Sequence, residues 1–144
     1  MVTSAIVRVL AVAATALSAG SALAQTPAAP PATTGPDSVV LHFDLGSAAI
    51  RAQDEALLDQ ASRLYRDGNP IVMIVTGSAD TVGQPDVNLA LSQQRADAVL
   101  RGLTARGIPV GRFQLVAKGE TDLAVATEDD VPEESNRRVE ITWR

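Results

Sequence analysis

Three polar side chains in the middle of the chain are spaced to share one groove. Asp80 stands in the run Gly77-Ser78-Ala79-Asp80-Thr81-Val82-Gly83, just after a β-branched stretch. Asn88 and Arg95 follow in the pattern Asn88-x-x-Leu91-Ser92-x-x-Arg95-Ala96. Seven residues on a helix are two turns less ~20°, so Asn88 and Arg95 project from one face. Asp80, in the loop leading into that helix, can line the same groove at its N-terminal end. A carboxylate beside a guanidinium, with an amide between them, suits a zwitterion. The carboxylate grips an ammonium, and the guanidinium holds a carboxylate with two parallel hydrogen bonds. The amides of the helix N-terminus favour that same carboxylate.

Each residue also has a plainer role. Asp80 can close a turn, Arg95 can be a surface arginine paired with an acid, and Arg137 and Arg138 can be charges that block a strand edge. The acidic run Glu128, Asp129, Asp130, Glu133, Glu134 reads as a solvated loop, because it lacks the alternating ligands and central glycine of a Ca²⁺ loop. Hydrolysis is disfavoured. His42 is the only histidine, there is no cysteine, and Ser78 lies outside any G-x-S-x-G elbow. A net charge of −5 argues against nucleic acid, and four aromatics cannot build a row of stacking platforms. No cysteine also means no disulfide, no thiolate metal site and no lipidated cysteine. No cofactor and no metal are expected.

The elements that would position the groove alternate between strand and helix. Val39, Leu41 and Phe43 alternate with Val40, His42 and Asp44, the period of a half-buried strand. Ser47 can cap a helix carrying Ile50, Leu57, Leu58, Ala61, Leu64 and Tyr65 inward, stopped at Gly68-Asn69-Pro70. Ile71–Val75 reads as an interior strand buried on both faces. A second helix is expected over Val87–Arg106, with Leu89, Ala96, Val99, Leu100 and Leu103 inward, ending at Gly107-Ile108-Pro109. Strands are expected at Phe113–Ala117 and Arg137–Trp143. The order β-α-β-α-β-β predicts an α+β two-layer sandwich, a mixed four-stranded sheet with helices packed on one face.

The N-terminal segment reads differently. Arg8, the apolar Val9–Leu17 and the small-residue end Ala22-Leu23-Ala24 form the pattern of a secretory signal peptide over residues 1–24. Its apolar core is short for a membrane span, which needs ~20 residues. Loss of Arg8 with that segment takes the net charge from −5 to −6. Residues 25–37, rich in proline and alanine, read as an extended linker, leaving 38–144 as the folded domain. Export to the periplasm is the expectation.

Several of these motifs, in their order and spacing, resemble the OmpA-like peptidoglycan-binding domain. They are Gly77-Ser78-Ala79-Asp80-Thr81-x-Gly83, Asn88-x-x-Leu91-Ser92-x-x-Arg95-Ala96, Gly107-Ile108-Pro109, Lys118-Gly119-Glu120 and Asn136-Arg137-Arg138-Val139-Glu140-Ile141. The resemblance covers about residues 38–143. It implies a non-catalytic domain binding the diaminopimelate residue of the peptidoglycan stem peptide, whose side chain ends in an ammonium and a carboxylate. Carried onto this chain, Asp80 would hold the ammonium and Arg95 the carboxylate. Asn88 would support them from the same helix and Arg137 from the last strand, with Thr81 and Asn136 completing the set. The implied setting is the periplasm and outer membrane, linking wall to envelope. The alternative is a domain of the same fold that contacts another envelope protein, with weak or no wall binding. Three positions depart from the family pattern. Ser78 stands where a bulky residue is usual, Leu123 where proline is common, and Glu133 near a usual arginine. With Glu128, Asp129, Asp130 and Glu134, Glu133 makes the loop strongly acidic, which would repel stem-peptide carboxylates at low salt and bear on the preferred wall chemotype.

Overall fold

The computed structural model describes residues 38–144; the expected signal segment (1–24) and linker (25–37) lie outside the described residues. Strand β1 (Ser38–His42) is followed by helix α1 (Glu55–Gly68), β2 (Met73–Gly77), α2 (Pro85–Ala105), β3 (Phe113–Ala117) and β4 (Arg138–Trp143). The sheet order is β1-β4-β2-β3. β4 runs antiparallel to both β1 and β2, and β2 runs parallel to β3. This is the α+β sandwich with a mixed four-stranded sheet that the pattern predicts. The parallel β2–β3 pair needs a crossover, and α2 is that crossover.

The helices cover one face only. Val39, Leu41, Met73, Val75, Val139 and Ile141 point toward them and pack against Leu58, Ala61, Ala96, Val99 and Leu103. Strand β2 is interior, as expected, but is buried on one face rather than two. Met73, Val75 and Gly77 are buried, while Ile74 and Thr76 are partly exposed. It also begins two residues later than expected. Ile71 is 80% exposed, and Ile71 and Val72 both donate their amides to the Arg144 carbonyl, short of the ladder with β3.

Two helix expectations shift for an identifiable reason. Ser47 caps only a short turn, accepting from the Ala49 amide at 3.1 Å, and α1 begins eight residues later. The stretch between them packs the partly buried Ile50 against the core and winds only into a 3-10 turn at Ala52–Asp54, while the Ser47 carbonyl before it is taken by Arg95 of α2. Helix α2 starts at Pro85, whose missing N–H costs nothing in the first turn. Leu89, expected inward, is 48% exposed. The inner face of the first turns is instead polar, made of Asn88, Ser92 and Arg95. Gly77 allows this close approach. A Cβ there would lie 2.0 Å from the Ser92 carbonyl oxygen.

Candidate functional site

Asp80 lies three residues beyond β2, in the turn before α2, and is 3% exposed. Its Oδ2 accepts from Arg137 Nη1 at 3.0 Å and from the Glu133 amide at 3.3 Å. Its Oδ1 has a longer 3.4 Å contact with the Val82 amide. Arg137 reaches it from the entry to β4, braced by donating Nε to the Phe43 carbonyl at 2.9 Å. Asp80 and Arg137 are thus one largely buried ion pair joining two chain segments far apart in sequence.

A cleft of about 350 Å³ opens beside this pair, between residues 45–46 and the first turns of α2. Asp80, Asn88 and Gln94 are its polar lining, and Leu45, Val82 and Leu91 are among its apolar walls. Asn88 donates Nδ2 to Glu120 Oε2 at 2.7 Å, which ties the helix start to the turn after β3. Ser92 completes that tie by accepting from the Gly119 amide at 2.9 Å. Gly119 has φ +56°, and a side chain there would press on the backbone of Leu89.

Arg95 shares the helix face of Asn88 but does not line the cleft. It is fully buried. Its guanidinium donates to three carbonyls, of Ser47 at 2.8 Å, Ser78 at 3.1 Å and Asp44 at 3.2 Å, and sits 5.5 Å from the centre of the Phe43 ring. The expectation that Asp80, Asn88 and Arg95 open onto one groove is therefore corrected for Arg95. Two turns beyond Asn88 on α2, it lies beneath the backbone of residues 44–47. Burial pulls the Arg95 pKa down to about 10; the Asp80 carboxylate opposes this shift and Arg137 adds to it. The group remains a cation at neutral pH.

Thr81 and Asn136 are placed to hold the acidic loop. Thr81 Oγ1 donates to the Glu128 carbonyl at 2.7 Å and accepts from the Val131 amide at 3.3 Å. Asn136 spends its amide on Val125, in both directions, at 2.8 and 2.9 Å. The acidic side chains of that loop are mostly exposed, and Asp130 Oδ1 accepts from the Gly83 amide at 3.0 Å. Among the described residues, no group of three His, Asp or Glu is placed to hold a metal ion. Arg138 lies away from the cleft, donating to the Asp122 carbonyl at 3.2 Å. Sequence reasoning missed Glu120 and Gln94 in the site, and Arg51, which bonds Glu134 across 83 positions. Lys118-Gly119-Glu120 was recognisable as a motif, whereas nothing in the local pattern marks Arg51.

With this geometry in hand, the likenesses to known proteins are informative. The OmpA family profile matches residues 42–137. The chain is 30% identical over 103 residues to a peptidoglycan-associated lipoprotein of Pasteurella multocida, covering 72% of this chain and 69% of that protein. The crystal structure of the peptidoglycan-associated lipoprotein from Burkholderia pseudomallei superposes with TM-score 0.68 at 27% identity, over 74% of this chain and 90% of that one. The cell wall anchor of the T6SS from Pseudomonas aeruginosa gives 0.59 at 28% identity, over 74% and 81%. The fold, the order of the motifs and these relatives agree: the chain belongs to the OmpA family.

Proposed function

We propose that the domain is a non-catalytic module that binds peptidoglycan in the periplasm through the diaminopimelate residue of the stem peptide, linking the wall to the outer envelope. The observation that carries this reading is Asp80, a buried carboxylate on the wall of the cleft, steadied at Oδ2 by Arg137 and with accepting capacity left at Oδ1. An ammonium entering the cleft meets a fixed anion in a poorly hydrated place, where a charge-assisted hydrogen bond is strong. Asn88 lines the same wall. Arg95 takes the ligand carboxylate, which requires residues 44–47 to yield some of the carbonyl contacts that now occupy its guanidinium. Thr81 and Asn136 support the site by fixing the acidic loop at its border.

A second reading has its own observation. Complete cover over Arg95, together with an acidic border, fits an OmpA-family domain that contacts another envelope protein and binds wall weakly. Titration with free meso-diaminopimelate, followed residue by residue by NMR, separates the two. Wall binding predicts shifts at Asp80, Asn88 and the amides of 45–47, with co-sedimentation on purified peptidoglycan and no turnover in the same tube. Absent shifts and absent sedimentation would overturn it in favour of the second reading.

A further inference from the structure

The backbone that covers Arg95 is itself fastened, by a residue that the site described above does not use. Arg51 donates Nε to Asp54 Oδ2 at 2.9 Å and Nη1 to Glu134 Oε1 at 2.7 Å, and the same Nη1 lies 3.9 Å from Asp44 Oδ1. Asp44 opens the covering segment, and its carbonyl is one of the three that Arg95 grips. Glu134 begins the short turn that leads into Arg137, the partner of Asp80. One arginine therefore connects the cover on one end of the clamp to the support of the other.

We infer that Arg51 is a positioning residue, a latch that holds residues 44–47 closed over Arg95 and sets how readily a ligand carboxylate reaches the guanidinium. The inference rests on the wall-binding reading above. The bond to Asp54, whose side chain is 10% exposed, keeps Arg51 in place. The contacts that do the latching, a hydrogen bond to Glu134 and a longer ion pair with Asp44, end on exposed acids, with side-chain exposures of 56% and 72%. Such pairs are screened by water and change an equilibrium by no more than about fivefold. That is a scale at which a ligand can open the latch. When only the open form accepts the carboxylate, apparent affinity falls by the fraction that is open. Weakening the latch should then tighten binding, and only for ligands that carry that carboxylate.

The test compares two tripeptides that are identical except for diaminopimelate or lysine at the third position, titrated calorimetrically against the full chain. Lysine keeps the ammonium and lacks the second carboxylate. Glu134→Gln and Arg51→Ala should each bind the diaminopimelate peptide about two- to fivefold tighter and leave the lysine peptide unchanged. Arg51→Ala separates the latch from simple repulsion by the acidic loop, because loss of a cation would by charge alone weaken binding of the extra carboxylate. Glu134→Gln, which leaves the Arg51–Asp54 pair intact, must move in the same direction. An unchanged ratio of the two affinities in Glu134→Gln, or a parallel change for both peptides, overturns the latch. A parent that binds neither peptide defeats the wall-binding reading itself, and the latch with it.

Discussion

Asp80→Asn is the most informative single substitution, because it keeps the shape of the side chain and removes only its charge. Two effects follow from the geometry, and they can be measured apart. Within the folded protein, Arg137 loses the carboxylate that it meets at 3.0 Å. Breaking a buried ion pair by removing one partner costs ~3–5 kcal/mol. Arg137 keeps its bond to the Phe43 carbonyl and a side chain 13% exposed to water, so a cost at or just below that range, about 2–3 kcal/mol, is expected. Toward the ligand, an amide offers an oxygen but no charge to the ammonium. Losing one member of a desolvated charge pair costs ~2–5 kcal/mol, about 30-fold to several thousand-fold in affinity. The assay is co-sedimentation with purified peptidoglycan, with a thermal melt of the same preparation. Asp80→Asn should melt lower yet fold, and should sediment poorly. Combining it with Arg137→Gln should recover much of the lost stability, since no unpaired guanidinium remains, but should not recover binding. Asp80→Asn that sediments like the parent would refute the role given to its charge. An unchanged melt would refute the energetic account of the pair.

The other expectations concern the frame around that site. Gly77→Ala would drive a methyl to 2.0 Å from the Ser92 carbonyl, so α2 must lift from β2 at a cost of about 3 kcal/mol, visible as a shifted denaturant midpoint. Val75→Asp should unfold the domain, because Val75 is fully buried, whereas Val72→Asp, outside β2 and partly exposed, should remain folded; equal melts for the two would contradict the observed start of β2. Hydrogen bonds from Arg106 and Arg51 hold Asp59 and Glu134 below their ordinary values of 3.8 and 4.5. Both lowered pKa values make stability present above those ordinary values and lost as pH falls through the folded-state ones. Thermal midpoints should therefore drop on acidification below that range, and Arg106→Ala should flatten the part due to Asp59.

Much of this protein was legible in its sequence, because the signals involved are local. Alternation in Val39–Phe43 and Val139–Trp143, helical spacing from Leu57 to Tyr65, and the stops at Gly68-Asn69-Pro70 and Gly107-Ile108-Pro109 each reflect a few neighbouring residues satisfying one period. The α+β class follows from their order. Asp80 and Asn88 could be placed on one wall because a turn and the helix that follows it have little freedom relative to each other. Tertiary structure decided what depends on distant segments meeting. Whether β2 is covered on one face or two depends on where both helices land. That Asp80 belongs to Arg137 depends on β4 inserting between β1 and β2. Arg95 shows the limit most clearly. Helical spacing fixes its direction on α2, but its exposure is set by carbonyls 48 and 51 residues earlier in the chain. A period describes where a side chain points on its own element; only packing determines which backbone closes over it.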